Sequence, residues 1–256
     1  ACTAGHNTAM GHDAMEVCTD SPGNTAIGSY TMGNGAASGS TNGYNTMIGY
    51  ACGYQLTTGK NNTSIGNEAG KELTTGDNNT FLGRMAGMSG SPSGQISTTD
   101  NIVCLGDDSV AGLYCADTSI SSSDARDKTD VERFTHGLSW INQLSPVTYR
   151  WDKRSWYVND PEFIDDPTTS IDEGAPDGSK KSPRLHVGFL AQEHLEVEKS
   201  HGFGTERDNM IITDLTEDGK KYGMKYERLV PVLVNAVKEL SAENDALKAR
   251  LDAAGL

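Results

Sequence analysis

Six consecutive residues, Ser123-Asp124-Ala125-Arg126-Asp127-Lys128, gather a hydroxyl, two carboxylates, a guanidinium and an ammonium. A serine hydroxyl becomes a nucleophile only with a base beside it, and a lysine serves once its ammonium is desolvated and its proton is held less tightly. From these residues alone a blander assignment stands beside that one. A Ser-Asp pair commonly caps a helix N-terminus, and a lysine five residues on is ordinarily a solvated charge. The histidines His136, His186, His194 and His201 do not complete a serine triad, since no nucleophile elbow or paired acid accompanies them, and they are assigned structural roles. Asp165, Asp166, Asp172, Glu173 and Asp177 lie in a Pro/Ser/Gly-rich run. That run lacks the alternating oxygen spacing of a calcium loop and is expected to be a solvent-facing loop over about 160–183. The five cysteines, Cys2, Cys18, Cys52, Cys104 and Cys115, form no CxxC pair and meet no histidine cluster. They are expected to be small buried residues in a reduced protein. No metal or cofactor is expected.

The chain that positions these groups has two unlike halves. Residues 1–122 hold 20 of the 29 glycines and 13 charged side chains, whereas residues 123–256 hold 9 glycines and 43 charges. The net charge of −14 disfavours nucleic acid and acidic membrane surfaces as partners. No segment reaches the ~18–20 apolar residues that span a bilayer, so membrane insertion is not expected. The opening Ala1-Cys2-Thr3-Ala4-Gly5 lacks the regions of a signal peptide and starts mid-pattern, as a fragment of a longer chain would.

The first half is a repeat. Asn7-Thr8-Ala9-Met10-Gly11 returns with its asparagine at Asn24, Asn45, Asn62, Asn79 and, degenerately, Asn101. The basic unit is 17 residues, with short insertions. Thr-x-Ile-Gly predicts a very short strand, with Asn and Gly supplying turns. Each unit places one large apolar residue at a fixed position: Met10, Ile27, Ile48, Ile65, Leu82 and Leu105. One such residue per unit is too little for a monomeric core, so the row is expected to be buried by stacking units along an axis shared by three chains. Cys52 falls where Ala69 and Ala86 sit in neighbouring units, as a small packed residue would. The pattern resembles the β-structured shafts of phage fibres and the β-roll heads of trimeric bacterial adhesins. The expected fold of residues 1–122 is therefore an all-β, β-roll or triple-β-helix-like fibre shaft or tip.

In the second half, apolar residues follow a heptad from Val230. Val230, Val237, Asn244 and Leu251 occupy one seam position, and Leu233, Leu240 and Leu247 the other. About three heptads at this spacing predict a coiled-coil helix over about 227–252, with Asn244 as a register-setting polar residue. A helix packed on its own domain is the alternative.

The order of motifs here is distinctive. Ser123-Asp124-Ala125-Arg126-Asp127-Lys128 is followed by Leu144-Ser145-Pro146-Val147-Thr148-Tyr149-Arg150-Trp151. Then come His186-Val187-Gly188-Phe189-Leu190-Ala191-Gln192-Glu193 and a tyrosine-led helix from Tyr226. This series resembles the intramolecular chaperone auto-processing domain that ends phage tail spikes and tail fibres, the endosialidase-type C-terminal chaperone. The resemblance implies an α+β domain over 123–256 that trimerises, then cleaves itself between Ser122 and Ser123 as a single-turnover serine peptidase. It maps the nucleophile onto Ser123 and the base onto Lys128, with Asp124 and Arg126 as orienting residues. It further implies a homotrimeric virion protein at a tail-fibre tip, meeting a bacterial surface polysaccharide or outer-membrane protein through its N-terminal half. A trimeric surface adhesin with a non-proteolytic trimerisation domain is the alternative.

Overall fold

A computed structural model describes residues 5–17, 21–34, 42–114, 123–157 and 175–255. Ser121, Ser122, Cys2, Cys18, Cys115 and most of the loop expected over 160–183 lie outside the described residues. The chain forms two compact units. One is Ala1–Gly112 with Arg150–Arg184 and Thr216–Lys221; the other is Leu113–Tyr149, Leu185–Leu215 and Tyr222–Leu256.

The first unit is a β-solenoid. Strands β1 (Thr8–Met10), β2 (Thr25–Ile27), β3 (Thr46–Ile48), β4 (Thr63–Ile65), β5 (Thr80–Leu82) and β6 (Val103–Leu105) form one parallel sheet in sequence order. Each pairs in register with the next, Thr25 with Thr46 with Thr63 with Thr80. One strand per repeat unit is what a 17-residue coil stacked on the next requires.

The interior corrects one expectation. Side chains alternate along a strand, so in a three-residue strand only the middle one points in. Ala26, Met47, Ser64, Phe81 and Cys104 fill that position and are buried. The repeating apolar row, expected to be buried between three chains, lies on the outer face of the single chain, where Met10, Ile65, Leu82 and Leu105 are exposed and Ile27 and Ile48 half-buried; the expectation corrected is that one chain has too little for a core. The chain closes a core of its own by adding the leucines of the next corner, Leu56 and Leu73, together with Met32, Ala69, Ala86 and Ile96. Cys52 stands among these, fully buried beside Ala69 and Ala86. Burial pushes its thiol up to about 12, leaving it in the unreactive protonated form.

The repeat asparagines do more than turn the chain. Asn24, Asn45, Asn62 and Asn79 are buried. Each side-chain oxygen accepts the backbone N–H of the next one: Asn45 to Asn24 at 2.9 Å, Asn62 to Asn45 at 2.9 Å, and Asn79 to Asn62 at 2.8 Å. Each amide also donates across the coil, from Asn45 to the Gly59 carbonyl at 3.0 Å and from Asn62 to Gly76 at 2.9 Å. The ladder thus satisfies polar groups that a narrow interior would otherwise leave without partners. Its last rung is not Asn101, as the sequence alignment of the sixth copy would have it, but Ile102, whose N–H donates to Asn79 Oδ1 at 2.9 Å. The one-residue shift keeps Cys104 opposite Phe81 on the inward side, since a strand out by one would turn its faces over. The glycine that ends each strand sits where neighbouring coils nearly touch. At Gly49, with φ +141°, a Cβ would lie 2.1 Å from the Gly66 carbonyl oxygen.

In the second unit, β7 (Val147–Tyr149) pairs antiparallel with β8 (His186–Gly188), and β9 (Thr213–Leu215) with β10 (Tyr222–Met224). Three helices, α1 (Leu138–Ile141), α2 (Ala191–Ser200) and α3 (Leu229–Ala254), pack around Trp140, Val197, Ile212, Leu229 and Val232. Helix α3 ends on Gly255, whose left-handed φ of 72° makes it a natural C-terminal cap. None of the described helices is long and apolar enough to cross a membrane.

Candidate functional site

The chemistry-bearing hexapeptide folds into one tight turn. Ala125–Asp127 is a 3₁₀ turn capped by Asp124, whose carboxylate accepts the Arg126 N–H at 2.9 Å. The Arg126 guanidinium then grips the same carboxylate through Nη2 at 2.6 Å and Nε at 3.0 Å. The guanidinium, and next the backbone N–H, hold the Asp124 carboxyl below the usual carboxylate range. The turn carries Lys128 back over its own start. Lys128 Nζ donates to Ser123 Oγ at 2.7 Å and approaches the Ser123 carbonyl at 3.4 Å. Both side chains are exposed. The four residues singled out by sequence are therefore in contact in pairs, Ser123 with Lys128 and Asp124 with Arg126. Ser122, the other side of the expected scissile bond, lies outside the described residues.

Residues downstream of Lys128 are tied to helix α3. Asn235 donates to the Phe134 carbonyl at 2.8 Å, and Glu239 accepts the Leu138 N–H at 2.7 Å. Helix α3 is two-faced. Leu229, Val232 and Ala236 are buried against their own unit. The heptad seam, Val230, Leu233, Val237, Leu240, Asn244, Leu247 and Leu251, lies exposed along the helix.

Helix α2 carries an arrangement that sequence reasoning missed. Glu198 is fully buried and accepts the backbone N–H groups of Ile211 at 3.0 Å and Ile212 at 3.1 Å. His194 Nδ1 lies 3.3 Å from its carboxylate and 3.2 Å from Thr213 Oγ1. The Trp140 indole N–H donates to His194 Nε2 at 3.4 Å, which leaves Nδ1 as the donor to the acid. Burial pushes the Glu198 carboxyl up, but the His194 ring and the N–H groups of Thr213 and Ile211 outweigh it and draw the group from 4.5 to about 2. The available signal was a His and a Glu four residues apart on one helix. The network is structural: it pins α2 to β9 and lies among the aromatic rings of Phe134, Trp140, His201 and Phe203. Among the described residues no group of three His, Cys, Asp or Glu could hold a metal ion.

Residues 123–203 match a family model. The family is the chaperone of endosialidase. The match begins on Ser123 itself and covers α1, β7, β8 and α2, while the tyrosine-led helix α3 lies beyond it. The chaperone of endosialidase is a self-cleaving serine-peptidase type of domain, and the match supports an endosialidase-type C-terminal chaperone domain in this chain. It points to a trimerisation and chaperone role of the kind found in phage tail fibres. No match is found among curated proteins or among solved structures.

Proposed function

We propose that this chain is the distal part of a phage tail fibre whose C-terminal half joins three copies and then releases itself by cutting the Ser122–Ser123 bond. The observation that carries the reading is the 2.7 Å contact between Lys128 Nζ and Ser123 Oγ at the first residue of the family match. In this scheme Lys128 takes the Ser123 hydroxyl proton as Oγ attacks the Ser122 carbonyl carbon. The peptide C–N bond breaks, the Ser123 amine takes a proton, and an ester joins Ser122 to Oγ. Water then hydrolyses that ester, freeing a carboxylate on Ser122 and restoring the hydroxyl. Asp124 and Arg126 are positioning residues that hold the turn.

Exposure of the pair in the single chain supports control by assembly. Solvent favours the charged form of an ammonium, and burial disfavours it. A trimer that covers the turn would arm the base only after three chains have met. The exposed seam of α3 and the outward row of the solenoid each offer an apolar stripe to neighbouring copies. A clamp built of local helical contacts forms sooner than long-range strand pairing, and it holds the repeats at high effective concentration. The solenoid half would then meet a bacterial surface polysaccharide or outer-membrane protein at the virion's fibre tip.

Denaturing electrophoresis with mass spectrometry tests this. Wild-type protein should yield fragments meeting between residues 122 and 123, and Ser123→Ala should remain whole. Equal cutting of wild type and Ser123→Ala would remove Ser123 as the nucleophile.

A further inference from the structure

The turns of α3 that expose Leu233, Val237 and Leu240 also carry Asn235, Ala236 and Glu239 on the side that meets residues 134–138 of the same chain. Positions three and four apart share one side of a helix, so Val232, Ala236 and Glu239 line up with Asn235 beside them. Three features join the two segments. The Asn235 amide donates to the carbonyls of Phe134 at 2.8 Å and His136 at 3.3 Å. The Glu239 carboxylate accepts the Leu138 N–H at 2.7 Å, the first N–H of α1, which has no partner within its own helix. Gly137 lies between these bonds. A Cβ there would stand 2.5 Å from Glu239 Oε1 and 2.7 Å from the Ala236 nitrogen, so the glycine is what permits the close approach. The Phe134 ring is held from elsewhere in the unit, with its centre 5.9 Å from that of Trp140 and 6.1 Å from that of Phe203.

We infer that Asn235 and Glu239 are positioning residues for the self-cleavage, forming the joint through which α3, once its seam is paired, fixes where the Ser123–Lys128 turn lies. Five exposed residues, 129–133, separate the joint from Lys128. The six steps from Lys128 to Phe134 reach at most about 20 Å, so a fixed joint confines the turn to the neighbourhood of the helix. A helix held on its seam face is held on its other face too. Pairing the seam therefore raises the effective concentration of the turn at the place where neighbouring copies can cover it. The inference rests on the proposed assembly and cut, and it names the side chains that carry the one to the other.

Two measurements on the full chain test the joint. The first is a gel time course of cutting by wild type, Asn235→Ala, Glu239→Ala and Glu239→Gln. Each alanine variant should cut about 10- to 100-fold more slowly while sedimenting as wild type does, since the seam is untouched. The factor should be the same at every pH, as misplaced groups give and altered protonation does not. Glu239→Gln keeps an oxygen for the Leu138 N–H and should recover most of the rate. The second measurement needs no cut. In Ser123→Ala chains, hydrogen exchange of residues 123–133 should be slower in the assembled protein than in the Val237→Glu, Leu240→Glu monomer. Adding Asn235→Ala and Glu239→Ala should abolish that difference while α3 stays protected; if circular dichroism shows this variant misfolded, Asn235→Ala alone serves. Alanine variants that cut at the wild-type rate, that slow only because the assembly is lost, or that leave exchange at 123–133 unchanged overturn the joint. A wild type that assembles without cutting refutes the proposed function alone, and the exchange comparison still decides the joint; one that never assembles refutes both.

Discussion

Arg126 and Asp124 hold each other twice, through guanidinium-to-carboxylate contacts of 2.6 Å and 3.0 Å and through a backbone N–H cap of 2.9 Å. This double grip closes the turn that sets Lys128 over Ser123. Asp124→Ala loses both grips, and scission should slow by about 10- to 100-fold, the scale of a modest misplacement of reacting groups. Asp124→Asn keeps an acceptor for the cap and should recover part of that loss. A gel time course of freshly folded protein reads both. Unchanged rates in both variants would confine the pair to a decorative surface contact.

Glu198 sets a pH dependence on the second unit. Its folded-state value of about 2 lies below its ordinary 4.5. A depressed carboxylate contributes stability that is complete above its unfolded value and is lost as pH falls through the folded one. Wild type should therefore lose roughly 3 kcal/mol between about pH 5 and pH 2 from this group alone. Glu198→Gln should be weaker at neutral pH, with the gap to wild type closing across that interval. Chemical denaturation of the C-terminal half at several pH values measures it. A gap that stays constant would contradict the assignment.

Asn62→Ala should destabilise the solenoid by about 2–6 kcal/mol. It strands the Asn79 N–H and the Gly76 carbonyl, each buried group costing about 1–3 kcal/mol without a partner. Thermal unfolding followed by far-ultraviolet circular dichroism reads the loss. The exposed Asn61 next door is the control, and Asn61→Gly, which suits its left-handed φ of 57°, should be neutral or nearly so.

Charges on the α3 seam should separate assembly from folding. Val237→Glu with Leu240→Glu leaves the buried face of Leu229, Val232 and Ala236 untouched. The variant should sediment as a monomer with native helix content, and it should no longer cut itself. Full-speed scission by such a monomer would break the link between assembly and chemistry.

The sequence announced the coils through their 17-residue spacing, and the parallel ladder runs in the order the copies imply. What it concealed was the inside. The inward position holds Ala26, Met47, Ser64, Phe81 and Cys104, too varied to stand out. The outward Ile27, Ile48, Ile65 and Leu82 repeat faithfully and so dominate the sequence pattern, although the single chain builds its core from other positions. The asparagines carried a turn signal strong enough to hide a ladder. Ser123 and Lys128 were legible because a motif names them, though only folding reveals that one 3₁₀ turn makes them touch.

In the in-register stack, the asparagine ladder links each rung to the rung on either side. A whole 17-residue unit could therefore be duplicated or deleted without reshaping the others, moving one end by a single strand spacing of about 4.8 Å. Reach along the axis becomes a matter of copy number. A gene in which recombination adds or drops units would tune how far the tip stands from its base while leaving the hexapeptide turn as it is.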